Sequence, residues 1–254
     1  MSVDIDQAGR LALLLVGGVI AGATNTLAGG GSLLTLPLLI FAGLPPVVAN
    51  ATNRVAVLAQ TSLSAWTFHR AGKVPWRLVL RLAPATLAGA ATGASLASRL
   101  PNEAFKPVLV VAIVSIALFL ALAPARFAEG ARSDTPPKVT GRILLLFFLM
   151  GAWGGFLQAG LGFFLIGTLS IALGRDLVTS NAIKVSLACM LTLLSLGIFL
   201  GAGQVAWLQG LTLAVGMGSG GLLGSRLALR KGSRWLRWVV LVAAVVSAVA
   251  VALS

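Results

Sequence analysis

From Leu11 to Asn53 the chain carries no charged side chain, and Arg54 stands at the end of that run. A membrane-crossing helix needs roughly 20 apolar residues, so the run is far longer than one crossing, and its first segment, about 11–43, is too long for one straight helix and too short for two full ones. Inside it lie Gly29, Gly30 and Gly31 followed by Ser32, then Pro45 and Pro46, then Asn50, Ala51, Thr52 and Asn53. A second uncharged run, Ile143 to Gly174, contains Gly160 and Gly162 and leads to Ser180, Asn181 and Lys184. Irregular backbone at membrane depth is tolerated only where it is buried in protein or lines a cavity. Each run therefore reads as a glycine-broken or re-entrant first segment that delivers the chain to an amide and a cation.

Composition points the same way. With 58% hydrophobic and 10% charged residues and a mean hydropathy of +0.99, the chain lies outside the range of soluble domains and its solvent is the lipid bilayer. The net charge of +13 would suggest nucleic acid in a soluble protein, but the basic residues fall in short loops between apolar segments. Membrane topology accounts for them, and no nucleic acid is expected. Cys189, the single cysteine, cannot form an intrachain disulfide and reads as a small core residue. Asp4 and Asp6 precede the first apolar run, which is expected to stay in place rather than be cleaved as a signal peptide.

Apolar segments fall at about 11–43, 47–68, 78–98, 105–124, 143–173, 178–200, 205–225 and 237–253. The polar stretch at about 125–142, with Arg126, Glu129, Arg132, Asp134, Pro136, Pro137 and Lys138, joins two halves, about 11–124 and 143–253, of a single membrane domain. The halves align: Gly43 with Gly174, Asn53 with Asn181, Val74-Pro75-Trp76 with Val205-Ala206-Trp207, and Ser98-Arg99-Leu100 with Ser225-Arg226-Leu227. Their loop charges are opposed. Arg70, Lys73, Arg77 and Arg81 follow the second segment of the first half, where 201–204 has no charge; Arg226, Arg230, Lys231, Arg234 and Arg237 follow the third segment of the second half, where the first half offers Arg99 and Lys106 against Glu103.

Since cytoplasmic loops collect Lys and Arg, the halves are expected to insert in opposite senses. The expected fold is an all-α, polytopic transmembrane helical bundle of two inverted repeats. The regions 69–77, 125–142, 175–177 and 226–236 would be cytoplasmic and both termini outside. Gly89, Gly93 and Ala97, and Gly216, Gly220 and Gly224, recur every four positions and predict close helix packing. Pro37, Pro45 and Pro46 are expected to set helix ends.

The chemistry is narrow. The acids Asp4, Asp6, Glu103, Glu129, Asp134 and Asp176 lie in tails or loops, and the one histidine, His69, sits beside Arg70 as a solvated interfacial residue or a pH-sensitive gate. No catalytic residues, metal ligands or cofactor are expected, and no enzyme. What remains inside the apolar segments is Arg54, Lys184, amides and hydroxyls. A buried cation without a neighbouring acid either contacts an anionic solute or snorkels to the surface. The candidate solute ligands are Arg54, Asn53, Thr52, Lys184, Asn181 and Ser180, with backbone N–H groups at Gly29, Gly30, Gly31, Gly160 and Gly162, and with Ser32, Asn25 and Gln158. The glycines serve equally to turn the chain back, and Asn25 and Gln158 to satisfy the helix kinks.

Gly29-Gly30-Gly31-Ser32, Pro37, Gly43-Leu44-Pro45, Ala51-Thr52-Asn53 and Gly72-Lys73-Val74-Pro75-Trp76 resemble the TauE/SafE sulfite exporter-like permeases, and the second-half echoes carry the likeness over nearly the whole chain. The second half departs from the fuller glycine run of that family, with Ala159-Gly160-Leu161-Gly162. The resemblance implies a multi-pass protein of the bacterial inner membrane that transports, by export, sulfite, sulfoacetate or another organosulfonate. A permease for another small anion, or a structural membrane subunit docking a cytoplasmic partner through its basic loops, is the alternative. The sequence leaves a homo-oligomer open.

Overall fold

The computed structural model describes residues 7–122 and 139–252. Among them the chain is all helix, with no strand: α1 (Gln7–Leu27), α2 (Gly31–Phe41), α3 (Pro46–Arg70), α4 (Trp76–Ala97), α5 (Asn102–Leu122), α6 (Gly141–Phe156), α7 (Leu161–Gly167) running into a π turn (Thr168–Ala172), α8 (Leu177–Gly201) and α9 (Trp207–Ala252). Asp4, Asp6 and most of the 125–142 join lie outside the described residues. Two helices, α1 and α8, are long and apolar enough to cross a membrane by length and composition.

Both long uncharged runs break at their glycines. Gly29 turns the chain at φ 101°, and α2 folds back along α1: a Cβ on Gly17 would lie 2.5 Å from Leu38 Cδ1, and one on Gly31 would lie 2.5 Å from Ala21 O. Gly160 does the same at φ 69° between α6 and α7. α3 starts at Pro46, where a missing N–H costs no bond, and Asp176 starts α8 by accepting from Val178 N and Thr179 N at 3.0 and 3.1 Å. The Val74-Pro75-Trp76 and Val205-Ala206-Trp207 anchors stand where α4 and α9 begin.

Two sequence expectations change. Pro37 lies inside α2 rather than at its end; it removes one backbone bond, a loss that protein-buried helices in membranes accommodate. The basic stretch after Ser225 is not a loop. Helix α9 carries Arg226, Arg230 and Lys231 and breaks only at Gly232, at φ 75° and ψ −176°. Arg and Lys are good helix formers and favour a helix C-terminus, which explains the extension.

Packing pairs the halves crosswise. Helix α1 lies along α9, α6 lies along α4, and α3 meets α8. The small-residue stripes make these contacts: a Cβ on Gly216 or Gly220 would run into the carbonyls of Leu15 and Val19, and one on Gly89 or Gly93 into those of Phe148 and Ala152. Backbones approach this closely where lipid supplies no hydrophobic drive for association. At the centre the two breaks touch: a Cβ on Gly29 would fall 2.5 Å from Gly162 Cα.

Large apolar side chains face outward, and a set of polar side chains lies buried within the apolar core. Val16, Ile20, Leu80, Leu96, Leu149, Leu193 and Val215 are exposed, whereas Asn53, Arg54, Gln60, Thr61, Asn181 and Lys184 are buried. An apolar exterior, with the polar groups gathered inside an otherwise apolar core, is what a lipid-solvated bundle requires.

Candidate functional site

Arg54 on α3 is 0% exposed. Its Nη1 donates to Gly154 O at 2.9 Å and its Nη2 to Gly155 O at 2.6 Å, and its guanidinium lies 4.9 Å from the centre of the Phe199 ring. Lys184 on α8 is 2% exposed, and its Nζ donates to Asn25 O and Thr26 O, both at 2.8 Å. Neither cation snorkels. Gly154 and Gly155 end α6, and Asn25 and Thr26 end α1, so each half supplies a cation to the broken helix of the other. The last carbonyls of a helix are unpaired and carry roughly half a negative charge. That supplies the counter-charge that no acid supplies: among the described residues no Asp or Glu is buried.

Five of the candidate residues meet at one cavity of about 20 Å³, room for about one water: Asn25, Ser32, Gln158, Gly162 and Lys184 line it, with Thr61 and a wall of Val57, Leu161 and Leu165. Asn25 Oδ1 accepts from Gly31 N at 3.2 Å, and Asn25 Nδ2 donates to Gln60 Oε1 at 2.6 Å. Gln158 sits at φ 65°, the one described non-glycine residue in that region, a strain of about 1–3 kcal/mol that the packed break sustains. Its Nε2 donates to Thr192 Oγ1 at 2.5 Å, while its Oε1 is buried without a partner. Asn53 faces α2: Thr35 Oγ1 donates to its Oδ1 at 2.6 Å and its Nδ2 donates to Ser32 Oγ at 3.2 Å.

Other candidates lie apart from the cavity lining. Thr52 Oγ1 accepts from Ala206 N at 3.0 Å and anchors the start of α9. Ser180 Oγ donates to Arg175 O at 3.3 Å in the first turn of α8. Asn181 is fully buried with neither amide atom partnered. Gly30 packs on the Phe163 ring and Gly160 on Ile116. Arg54 serves the end of α6.

Sequence reasoning passed over Gln60, Thr61 and Ser64. Gln60 Nε2 donates to Thr26 Oγ1 at 2.6 Å and to Ser64 Oγ at 3.2 Å, and Ser64 Oγ donates to Gly221 O at 3.2 Å. This network ties the end of α1 to α3 and α9. Its signal was present: Asn50, Asn53, Arg54, Gln60, Thr61 and Ser64 recur at helical spacing along one face of α3.

An apolar-surfaced helical bundle with buried polar and cationic side chains, in which two broken helices meet at a small cavity, fits a membrane transporter. Residues 14–251 match the sulfite exporter TauE/SafE family, and the chain belongs to it. It is 31% identical over 240 residues to a "Probable membrane transporter protein ORF9" of Sinorhizobium sp, covering 94% of this chain and 91% of that one. It is 30% identical over 242 residues to a "Probable membrane transporter protein YfcA" of Escherichia coli strain K12, covering 94% and 88%. A "Probable membrane transporter protein" of Haemophilus influenzae is 27% identical over 242 residues, covering 95% and 93%. No solved structure matches the chain.

Proposed function

We propose that this protein is a multi-pass secondary permease of the bacterial inner membrane that exports small sulfur oxyanions, sulfite or organosulfonates such as sulfoacetate. The observation that carries this reading is the Lys184 ammonium beside a cavity between the two glycine breaks, in a described core without a buried carboxylate. Two of the three Lys184 N–H groups go to carbonyls, leaving the third for a solute. The Ser32 hydroxyl and the second N–H of the Asn25 amide add neutral donors for its oxygens, and Asn53 holds Ser32 in place. Arg54 adds positive potential from the far side of the breaks, and Asn181 is a buried amide that a passing solute would satisfy.

A cavity of about 20 Å³ is too small for such a solute, so this arrangement is the closed state between passages. Opening proceeds by moving one half, inserted in the inverted sense, against the other at the Gly29–Gly162 contact. An inside-negative potential drives an anion outward by about 2.3 kcal/mol per charge per 100 mV, so export needs no carboxylate proton relay.

The test is charge movement by the purified full chain in proteoliposomes on a solid-supported membrane, across a panel of sulfite, sulfoacetate, sulfate and acetate. Saturable currents that favour the sulfite or sulfonate head are expected. Absence of current with every sulfur oxyanion would overturn the assignment.

A further inference from the structure

The end of α1 is built like a seat for a monovalent cation. Asn25 O and Thr26 O converge on Lys184 Nζ at 2.8 Å each. Ser32 and Thr61 line the same cavity, as does Gln158, whose Oε1 is buried with no donor. These are neutral oxygens of the kind that hold hard monovalent cations, and carbonyls at the ends of broken helices are where coupling Na⁺ is bound in transporters of broken-helix design. Here an ammonium on α8 occupies the place. The other broken helix repeats the plan, with the Arg54 guanidinium on Gly154 O and Gly155 O.

We infer that Lys184 is a tethered cation standing in the position of a coupling ion, so that the chain moves its anion without Na⁺ or K⁺, and that removing the ammonium uncovers a Na⁺- or K⁺-binding site. The inference rests on the permease reading for its coupling consequence, but the site itself is independent of flux. A tethered ammonium cannot leave with the solute, so its charge stays with the protein. An anion then crosses as net charge, and its own concentration gradient together with the membrane potential sets the direction of transport. Lys184→Ala removes Cγ, Cδ, Cε and Nζ, joins their space to the existing cavity, and leaves the converging oxygens facing it.

Thermal unfolding of the purified full chain in detergent, at one ionic strength in NaCl, KCl or choline chloride, reads the site directly. Wild-type Tm is expected to be the same in all three. Lys184→Ala is expected to melt lower in choline chloride and to gain about 3 °C or more, saturably, in NaCl or KCl. Lys184→Met, which fills the space without charge, should melt alike in every salt. A Lys184→Ala protein whose Tm ignores the choice of cation would overturn the inference. Should that variant fail to fold, wild-type anion flux decides: equal flux in Na⁺, K⁺ and choline supports a built-in cation, and flux that requires Na⁺ or K⁺ refutes it. No anion flux in any salt would sink the permease reading instead; where Lys184→Ala folds, its melting comparison still decides the cation site.

Discussion

Gly29→Ala isolates the contact between the two glycine breaks. A Cβ there would lie 2.5 Å from Gly162 Cα, 2.5 Å from Gly162 C and 2.8 Å from Phe163 N. All three are backbone atoms, which no rotamer change can move aside. Overpacking of this kind costs about 1–3 kcal/mol. The φ of 101° adds roughly 1–2 kcal/mol for a residue with a Cβ, giving about 2–5 kcal/mol in all. For a chain of this size each kcal/mol shifts Tm by about 2–4 °C, so the melting temperature in detergent should fall by about 4–20 °C. Gly197→Ala is the control: it lies within α8 with nothing within 4 Å of its Cβ position. It should be neutral or raise stability by up to about 1 kcal/mol. Nanoscale fluorimetry on the native tryptophans would follow both variants. A Gly29→Ala protein that melts within a degree or two of wild type would refute the direct meeting of the breaks.

Arg54→Met should lose the two guanidinium bonds to the end of α6 and destabilise the fold in a thermal melt by about 1–3 kcal/mol for each carbonyl left unpaired, with Arg54→Lys intermediate because one ammonium cannot reproduce the planar fork. Gln60→Leu leaves Asn25 Nδ2 without its acceptor and removes the donor to the Thr26 and Ser64 hydroxyls, which keep their bond to each other; a loss of about 1–3 kcal/mol should appear in the same melts, with faster hydrogen exchange at the end of α1. Asp176→Ala removes the α8 cap and should cost about 0.5–2 kcal/mol.

Much of the scaffold was legible because lipid solvation writes itself into composition. Uncharged runs marked the segments, Gly29–Gly31 and Gly160–Gly162 marked the breaks, and four-residue glycine spacing marked the faces of α4 and α9 that pack closely. The site was legible only in part. Arg54 and Lys184 stood out as cations in apolar surroundings, but their partners are main-chain carbonyls, separated from them by 100 and 101 residues for Arg54 and by 159 and 158 for Lys184. A carbonyl has no sequence signature, so the choice between solute contact and snorkelling omitted the internal counter-charge of a helix end. Gln60 escaped notice because a buried amide declares itself only through the periodicity of its neighbours. The continuation of α9 to Gly232 was hidden because a basic run suits a loop and a helix terminus equally.

The most direct test is sulfite or sulfoacetate flux, in sodium-free buffer, through proteoliposomes holding wild type or Lys184→Ala at equal density, with circular dichroism establishing that both are helical. Saturable, voltage-driven flux in wild type and its loss in Lys184→Ala is the expected result. Equal flux through the two would contradict a transport site built around the buried ammonium.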